Sequence, residues 1–468
     1  MTLKKTLLII LLTASPYIIC NYLVFIFAVP ILYLLYSKTK LRYKDIFFLS
    51  LAMSLLTLLP IIGYSVAAYL LGVGITVLFL VVFIVLSEVL IKNTKSPFTQ
   101  IVMPAVIWTY LVYILNFKSL MSATFDIGVL FPVSAPLVWY IGSTGLTFLI
   151  ILFNSSVARY LVKKDKLSMS ISIILAFLFI GSFTYSMLQD PADLHTRDKA
   201  LNVALIQGDA PGRSLSGYEE NLDDRVKRYI ALSEEAVKKE NTQVVVWPEY
   251  TLPVDIMKRF PDKMKPITSA IKRSDTAFII GSMASGNGKS YDAALIFNRK
   301  GELEDTYYSG DPAIFNKGVS PANAATKLYY EKAGITVCWE ELNAGIFRKY
   351  VKNGAEYFIS LSSNADLDYS WFKNYASFFS RIRAAENARY LARATQTGVT
   401  EIVSPFGRVI KTIPKNKAGF LTGKIYGITK RTFYSKHGDI IPKVFLILMI
   451  LASLVVEIRE KKAKTEKV

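Results

Sequence analysis

Cysteine and histidine are almost missing from this chain, with two of each among 468 residues. Cys20 lies inside an apolar run and Cys338 far away in a polar half, which excludes a disulfide framework and a cysteine-type zinc site. His195 and His437 sit near the edges of that polar half. Neither a Ser-His-Asp nor a Cys-His triad fits them, and both read as solvated residues beside a membrane. Acidic residues are also short, 36 against 55 Lys and Arg, for a formal net charge of +19. The excess does not point to nucleic acid, because the basic residues cluster beside apolar runs. No internal repeat or low-complexity tract is present, and no small-residue cleavage site follows the first apolar stretch, so a cleaved signal peptide is not expected.

Apolar sequence is what abounds, at 52% of residues. Residues 1–190 form a series of runs of membrane-spanning length, broken near Ser37–Asp45, Pro60–Tyr64, Lys92–Pro97, Asn116–Asp126 and Arg159–Lys166. We read about seven helices there, with Pro16 and Asn21 marking the turn between the first two, and one more span near Val444–Val456, inside a C-terminal segment 442–458. Lys and Arg resist transfer and stay on the cytoplasmic side. They occupy every second boundary: Lys4 and Lys5, then Lys38 to Lys44, Lys92 and Lys95, Arg159 to Lys166, and the tail 459–468. An odd number of spans after an inner N-terminus puts residues 199–435 outside the cytoplasm.

That polar segment changes period. Leu201–Gln207, Gln243–Trp247, Ala277–Gly281, Ala293–Phe297, Gly334–Cys338 and Glu356–Leu361 read as short buried strands. Tyr218–Glu240 and Trp371–Thr395 read as helices, the second with Glu386 and Arg389 on a solvated face. Asn298–Gly301 and Ser404–Gly407 read as hairpin turns. The whole is an α/β domain.

Two of its strands, Val-Val-Val-Trp-Pro-Glu249 and Gly-Ile-Thr-Val-Cys338-Trp-Glu340, end in reactive side chains, at the edge where open α/β sheets assemble their sites. A carboxylate beside a thiol can take its proton, and the thiolate can attack a carbonyl carbon to give a thioester. Taken alone, Cys338 also reads as a buried structural cysteine and Glu249 as a strand-end surface carboxylate.

A set of ordered motifs weighs on that choice. Leu-Asn-Val-Ala-Leu-Ile-Gln207-Gly208-Asp-Ala-Pro211, Trp247-Pro248-Glu249, Cys338-Trp339-Glu340, Ser363-Asn364-Ala-Asp366, Arg381-Ile-Arg383-Ala384 with Glu386 and Arg389, Gly398-Val-Thr and Gly407 resemble those of apolipoprotein N-acyltransferases, in the same order. Gly145-Leu-Thr-Phe-Leu-Ile with Asn154 resembles a span of that family as well. The resemblance implies an α-helical membrane bundle of about eight spans and a nitrilase-like α-β-β-α sandwich. It also implies a Glu-Lys-Cys triad and transfer of a fatty acyl chain from a phospholipid to the α-amine of a diacylglyceryl-cysteine at a lipoprotein N-terminus, in a bacterial inner membrane. Neither a metal nor an organic cofactor is called for. Glu249 and Cys338 fill two triad roles, with Trp339, Glu340, Ser363 and Asn364 as substrate or support residues. The family's Tyr-x-Lys motif departs here: aligned on Tyr307, Ser309 stands where the lysine belongs. Lys317 is the nearest downstream lysine and is taken as oxyanion partner, with Arg381 or Lys373 as other basic groups that could serve. A membrane-anchored amidase or hydrolase, and a non-catalytic lipoprotein-binding member, are the rival readings.

Overall fold

The computed structural model describes all residues except 1–2, 38–41, 60–61, 63–64, 116–124, 197–199, 210–221, 287, 311–319, 321–326, 366–369 and 466–468. It divides into two units, Met1–Tyr185 with His437–Val468, and Ser186–Lys436.

The first unit is helical. Val66–Asn93, Pro97–Leu115, Leu137–Lys163 and Lys166–Leu188 are long and apolar enough to cross a membrane. Leu3–Ile18, Val29–Tyr36 and Tyr43–Leu58 are shorter helices, and Ile440–Thr465 closes the unit. Pro16 stays inside the first helix, and the chain breaks after it. Cys20 falls in that break, outside the helix, and its side chain is exposed. The break is held by Asn154, fully buried, whose Oδ1 accepts from the Ala28 N–H at 2.9 Å while its Nδ2 donates to the Val24 carbonyl at 3.2 Å. Buried backbone groups that lose their helical partners must find others, and this side chain provides them. Arg159 belongs to the helix rather than to the loop after it. It is buried, ion-paired with Asp165, and donates to Gln100 Oε1 at 3.1 Å and Ser168 Oγ at 3.0 Å.

The second unit is a four-layer sandwich. One sheet runs β11 (Gly419–Tyr426), β1 (Ala200–Gln207), β2 (Val244–Leu252), β3 (Ala277–Gly286), β4 (Lys289–Phe297), β5 (Leu303–Tyr308). The other runs β10 (Val409–Ile413), β9 (Thr400–Val403), β8 (Leu391–Thr395), β7 (Tyr357–Ser362), β6 (Ala333–Val337). Strands β1, β2 and β3 are mutually parallel, as are β6, β7 and β8. Side chains alternate between two cores, as the pleat requires. Val203, Leu205, Val244 and Val246 meet Ile335, Ile359 and Leu391 between the sheets. Ala204, Ile206, Val245 and Trp247 face the helices Leu222–Lys239 and Pro261–Ser274.

Sequence periodicity misses β5, β8, β9, β10 and β11. The helix expected to reach Thr395 ends at Asn387, because Ala388 takes a φ of 49° and the chain turns into β8. Its charged residues are not solvated: Glu386 pairs with Arg383, and Arg389 donates to the Ala355 and Lys430 carbonyls at 2.9 and 2.7 Å, all out of solvent. His195 is not simply solvated either, since it stacks on Tyr426 at 3.9 Å and its Nε2 meets the Tyr390 hydroxyl at 2.7 Å.

Candidate active site

Strand β6 stops at Val337, and Cys338 opens a tight turn, Cys338–Leu342, with a φ of 63°. A non-glycine residue in that region costs of order 1–3 kcal/mol and persists only where its surroundings enforce it. Glu340 supplies the enforcement. Its buried carboxylate accepts from the Val337 N–H at 2.8 Å, the Tyr307 hydroxyl at 2.6 Å and the Gly310 N–H at 2.8 Å. Expected as a substrate or support residue, Glu340 is placed as a brace between the cysteine turn and the end of β5. Behind the same turn, Glu341 pairs with Arg393 of β8, whose Nε and Nη2 lie 2.9 and 3.0 Å from the carboxylate.

Glu249 sits where β2 leaves regular pairing with β3, between Trp247 and Leu252, and the next residue, Tyr250, has a φ of 56°. The bulge is tied down from several elements. Arg225 donates to the Tyr250 carbonyl at 3.1 Å, Gln396 to the Glu249 carbonyl at 3.0 Å, and the Thr251 hydroxyl to the Pro248 carbonyl at 2.7 Å. Gly281 of β3 makes room, since a Cβ there would stand 2.1 Å from the Pro248 oxygen and 2.7 Å from the Glu249 Cα.

These devices bring the Cys338 sulfur and the carboxylates of Glu249 and Asp292 within 4.8 Å of one another. The thiol donates to Glu249, and the Trp339 N–H donates to the sulfur. Burial, and then the charges of Glu249 and Asp292, push the thiol well above its ordinary value. A cysteine so placed rests as a thiol at neutral pH, and attack by its sulfur would require a base to take the proton. Catalytic zinc sites are built on histidine or cysteine, and this set has a single cysteine and no histidine, so it suits proton transfer better than metal binding. Burial, followed by the Asp292, Glu249 and Cys338 charges, also raises the Tyr250 phenol, which keeps its proton and donates it in a hydrogen bond to Asp292.

Ser363 and Asn364 follow β7 at the same sheet edge. Asn364 takes a φ of 57° and its Oδ1 accepts from Arg393 Nη2 at 3.1 Å, while the Ser363 carbonyl accepts from the Thr397 N–H at 3.3 Å. Lys317 lies outside the described residues. Ser309 is buried, its N–H donating to the Asp292 carbonyl at 2.8 Å, and thus reaches the edge where the aligned lysine was expected. Arg381 is committed to Glu401, and Lys373 donates to Thr397 Oγ1 and Asn416 Oδ1 at 2.9 and 2.7 Å. Sequence reading passed over Asp292 and Tyr250. Asp292 precedes by one residue the apolar run taken as a strand, and its inward alternation with Ala294 was the available signal.

The pattern of the carbon-nitrogen hydrolase family matches residues 202–427, which contain all three groups. The chain is similar to proteins named apolipoprotein N-acyltransferase: 22% identical over 354 residues to that of Wigglesworthia glossinidia brevipalpis, covering 68% of this chain and 67% of the relative. It is 23% identical over 375 residues to that of Chlorobaculum tepidum, covering 68% and 69%. With that of Mycolicibacterium smegmatis the identity is 24% over 314 residues, covering 60% of this chain and about half, 52%, of the relative's length. Among solved structures, a carbon-nitrogen hydrolase from Helicobacter pylori G27 superposes with a TM-score of 0.42 at 17% identity, covering 48% of this chain and 88% of that one. An amidase from Nesterenkonia sp. gives 0.41 at 16%, covering 52% and 95%.

Proposed function

From the premise that the chain belongs to the apolipoprotein N-acyltransferase family, within the carbon-nitrogen hydrolases, we propose that it moves a fatty acyl chain from a phospholipid, through a thioester on Cys338, to the N-terminal amine of a diacylglyceryl-cysteine lipoprotein. The observation that carries this reading is the thiol of Cys338 hydrogen-bonded to Glu249 in a family-matched domain of a membrane protein.

The chemistry divides into two halves. Glu249 takes the thiol proton as the sulfur attacks the ester carbonyl carbon, and the carbonyl electrons move onto oxygen. The tetrahedral species collapses with cleavage of the C–O bond, and the departing lysophospholipid oxygen takes the proton from Glu249. An amine then attacks the thioester, loses a proton, and expels the sulfur, leaving an amide. Trp339 presents its N–H to the sulfur and so favours the thiolate as it forms. We assign the oxyanion contact to Lys317, carried by the segment between β5 and β6. Eight spans, with the domain outside the cytoplasm of a bacterial inner membrane, match the alternation of basic boundaries.

The test is product analysis. The purified full chain, given phospholipid vesicles and a diacylglyceryl-cysteine peptide, should yield a triacylated peptide. Free fatty acid or ammonia as the sole product would select a hydrolase, and absence of any acyl-enzyme would select a non-catalytic lipoprotein-binding member.

A further inference from the structure

The acylation half uses one base, yet two carboxylates stand beside the thiol. Asp292 is fully buried on β4, and its carboxylate, Glu249 and the Cys338 sulfur lie within 4.8 Å of one another. Two of its contacts help to fix it. The Tyr250 hydroxyl donates to its carboxylate, and the Ser309 N–H to its backbone carbonyl at 2.8 Å. Among the described residues, the groups around it include Glu249 and Tyr250 of β2, Cys338, Met283 opposite on β3 and Ser309 after β5, so the ionisable ones of these are already in the site. Glu249 is the carboxylate hydrogen-bonded to the thiol and serves as its base, so the acylation half needs no proton transfer through Asp292.

The second half has a use for it. A terminal amine reaches the site largely as an ammonium ion, since α-amino groups titrate near about 7.7–8.0, and an ammonium has no lone pair for attack. It must lose one proton before the C–N bond forms and a second afterwards, while the sulfur takes only one back. Resting on the proposed N-acyl transfer, we propose that Asp292 is the base for the acceptor: its carboxylate binds the incoming ammonium beside the thioester and removes the first proton. The neutral nitrogen attacks the thioester carbon, and the carbonyl electron pair moves to oxygen. Glu249 takes the second N–H proton, the C–S bond breaks, the departing sulfur recovers that proton from Glu249, and Asp292 releases its own to solvent. The products are an amide, a thiol and one proton. A separation within 4.8 Å accommodates this, because a nitrogen about 2.8 Å from a carboxylate oxygen can also lie about 3–3.5 Å from a carbon bonded to the sulfur. Asp292 thereby selects a cationic amine over water as acceptor.

The experiment separates the halves in the full chain, in detergent with phospholipid bearing a labelled acyl chain. In Asp292→Asn, labelled thioester on Cys338 should still form, while its transfer to a diacylglyceryl-cysteine peptide falls at least about a hundredfold more than thioester formation does. Release by hydroxylamine, which is uncharged at neutral pH, should be unchanged, and raising the pH above the peptide amine's value should recover part of the transfer. Tyr250→Phe keeps the carboxylate but removes its hydrogen bond, and should slow peptide transfer less than Asp292→Asn while also sparing hydroxylamine. Equal loss with both acceptors, equal loss in both halves, or undiminished peptide transfer would overturn the assignment. A native chain that forms no thioester would instead sink the acyl-transfer reading on which it rests.

Discussion

Replacing Arg393 by Met tests whether the buried pair behind the cysteine turn holds the site in register. Arg393 is fully buried and makes a fork of contacts: Nε at 2.9 Å and Nη2 at 3.0 Å to Glu341, Nη2 to Ser362 Oγ at 3.2 Å and Asn364 Oδ1 at 3.1 Å, and Nη1 to the Val399 carbonyl at 2.8 Å. Methionine fills much of the volume but leaves the Glu341 carboxylate buried without its cation. Removing one partner of such a pair costs about 3–5 kcal/mol, most of it the penalty of the stranded charge. For a domain of 150–250 residues each kcal/mol moves the midpoint by about 2–4 °C, so thermal unfolding of the full chain in detergent should fall by about 6–20 °C. The decisive comparison is Arg393→Met with Glu341→Leu, which removes both charges and should recover most of the loss. A single variant within about 1 kcal/mol of native, or a double variant no better than the single, would refute the reasoning.

Glu249→Gln keeps shape but removes the base, so acylation should slow at least about a hundredfold in single-turnover measurements. Because the Glu249 charge adds to burial in raising the thiol, the same change should move pH-dependent alkylation of Cys338 toward lower pH, and a shift in the other direction would contradict the electrostatics. Lys317→Met should slow acylation about a hundredfold and raise the alkylation pH of Cys338 if this lysine supplies the oxyanion contact, whereas a solvated lysine would change neither by more than a few tenths of a kcal/mol. Cysteine-accessibility labelling should find positions near Lys40 and Lys164 cytoplasmic and positions near Gly288 external, and external labelling near Lys164 would overturn the topology.

The parallel strands were legible because β1, β2, β6 and β7 are buried on both faces and read as continuous apolar runs. Strands β5 and β10 escaped because they are sheet edges with exposed residues such as Leu303, Val409 and Ile410, which leave no apolar face to detect. Strand β8 was absorbed into the preceding helix because an alanine, Ala388, performs the left-handed stop that glycine or asparagine usually announces. The same segment looked solvated because charge was read as exposure, although Glu386, Arg389 and Arg393 are buried and partnered. Within the helix Leu137–Lys163, Gly142 breaks the regular backbone at a point where glycine alone could not be told from a packing residue. In the site, Glu249 and Cys338 were visible because each ends an apolar strand in a known motif. Asp292 was not, since proximity to a thiol some 46 residues further along is set by the pairing of β3 with β4 and by the stacking of the two sheets.

The central claim is that Cys338 carries the acyl chain. Peptide mass spectrometry of the full chain after incubation with phospholipid should find an added acyl mass on the peptide containing Cys338, removed by hydroxylamine, absent in Cys338→Ala and retained in Cys20→Ala. An unmodified Cys338 in native protein that still makes a triacylated peptide, or turnover persisting in Cys338→Ala, would contradict it.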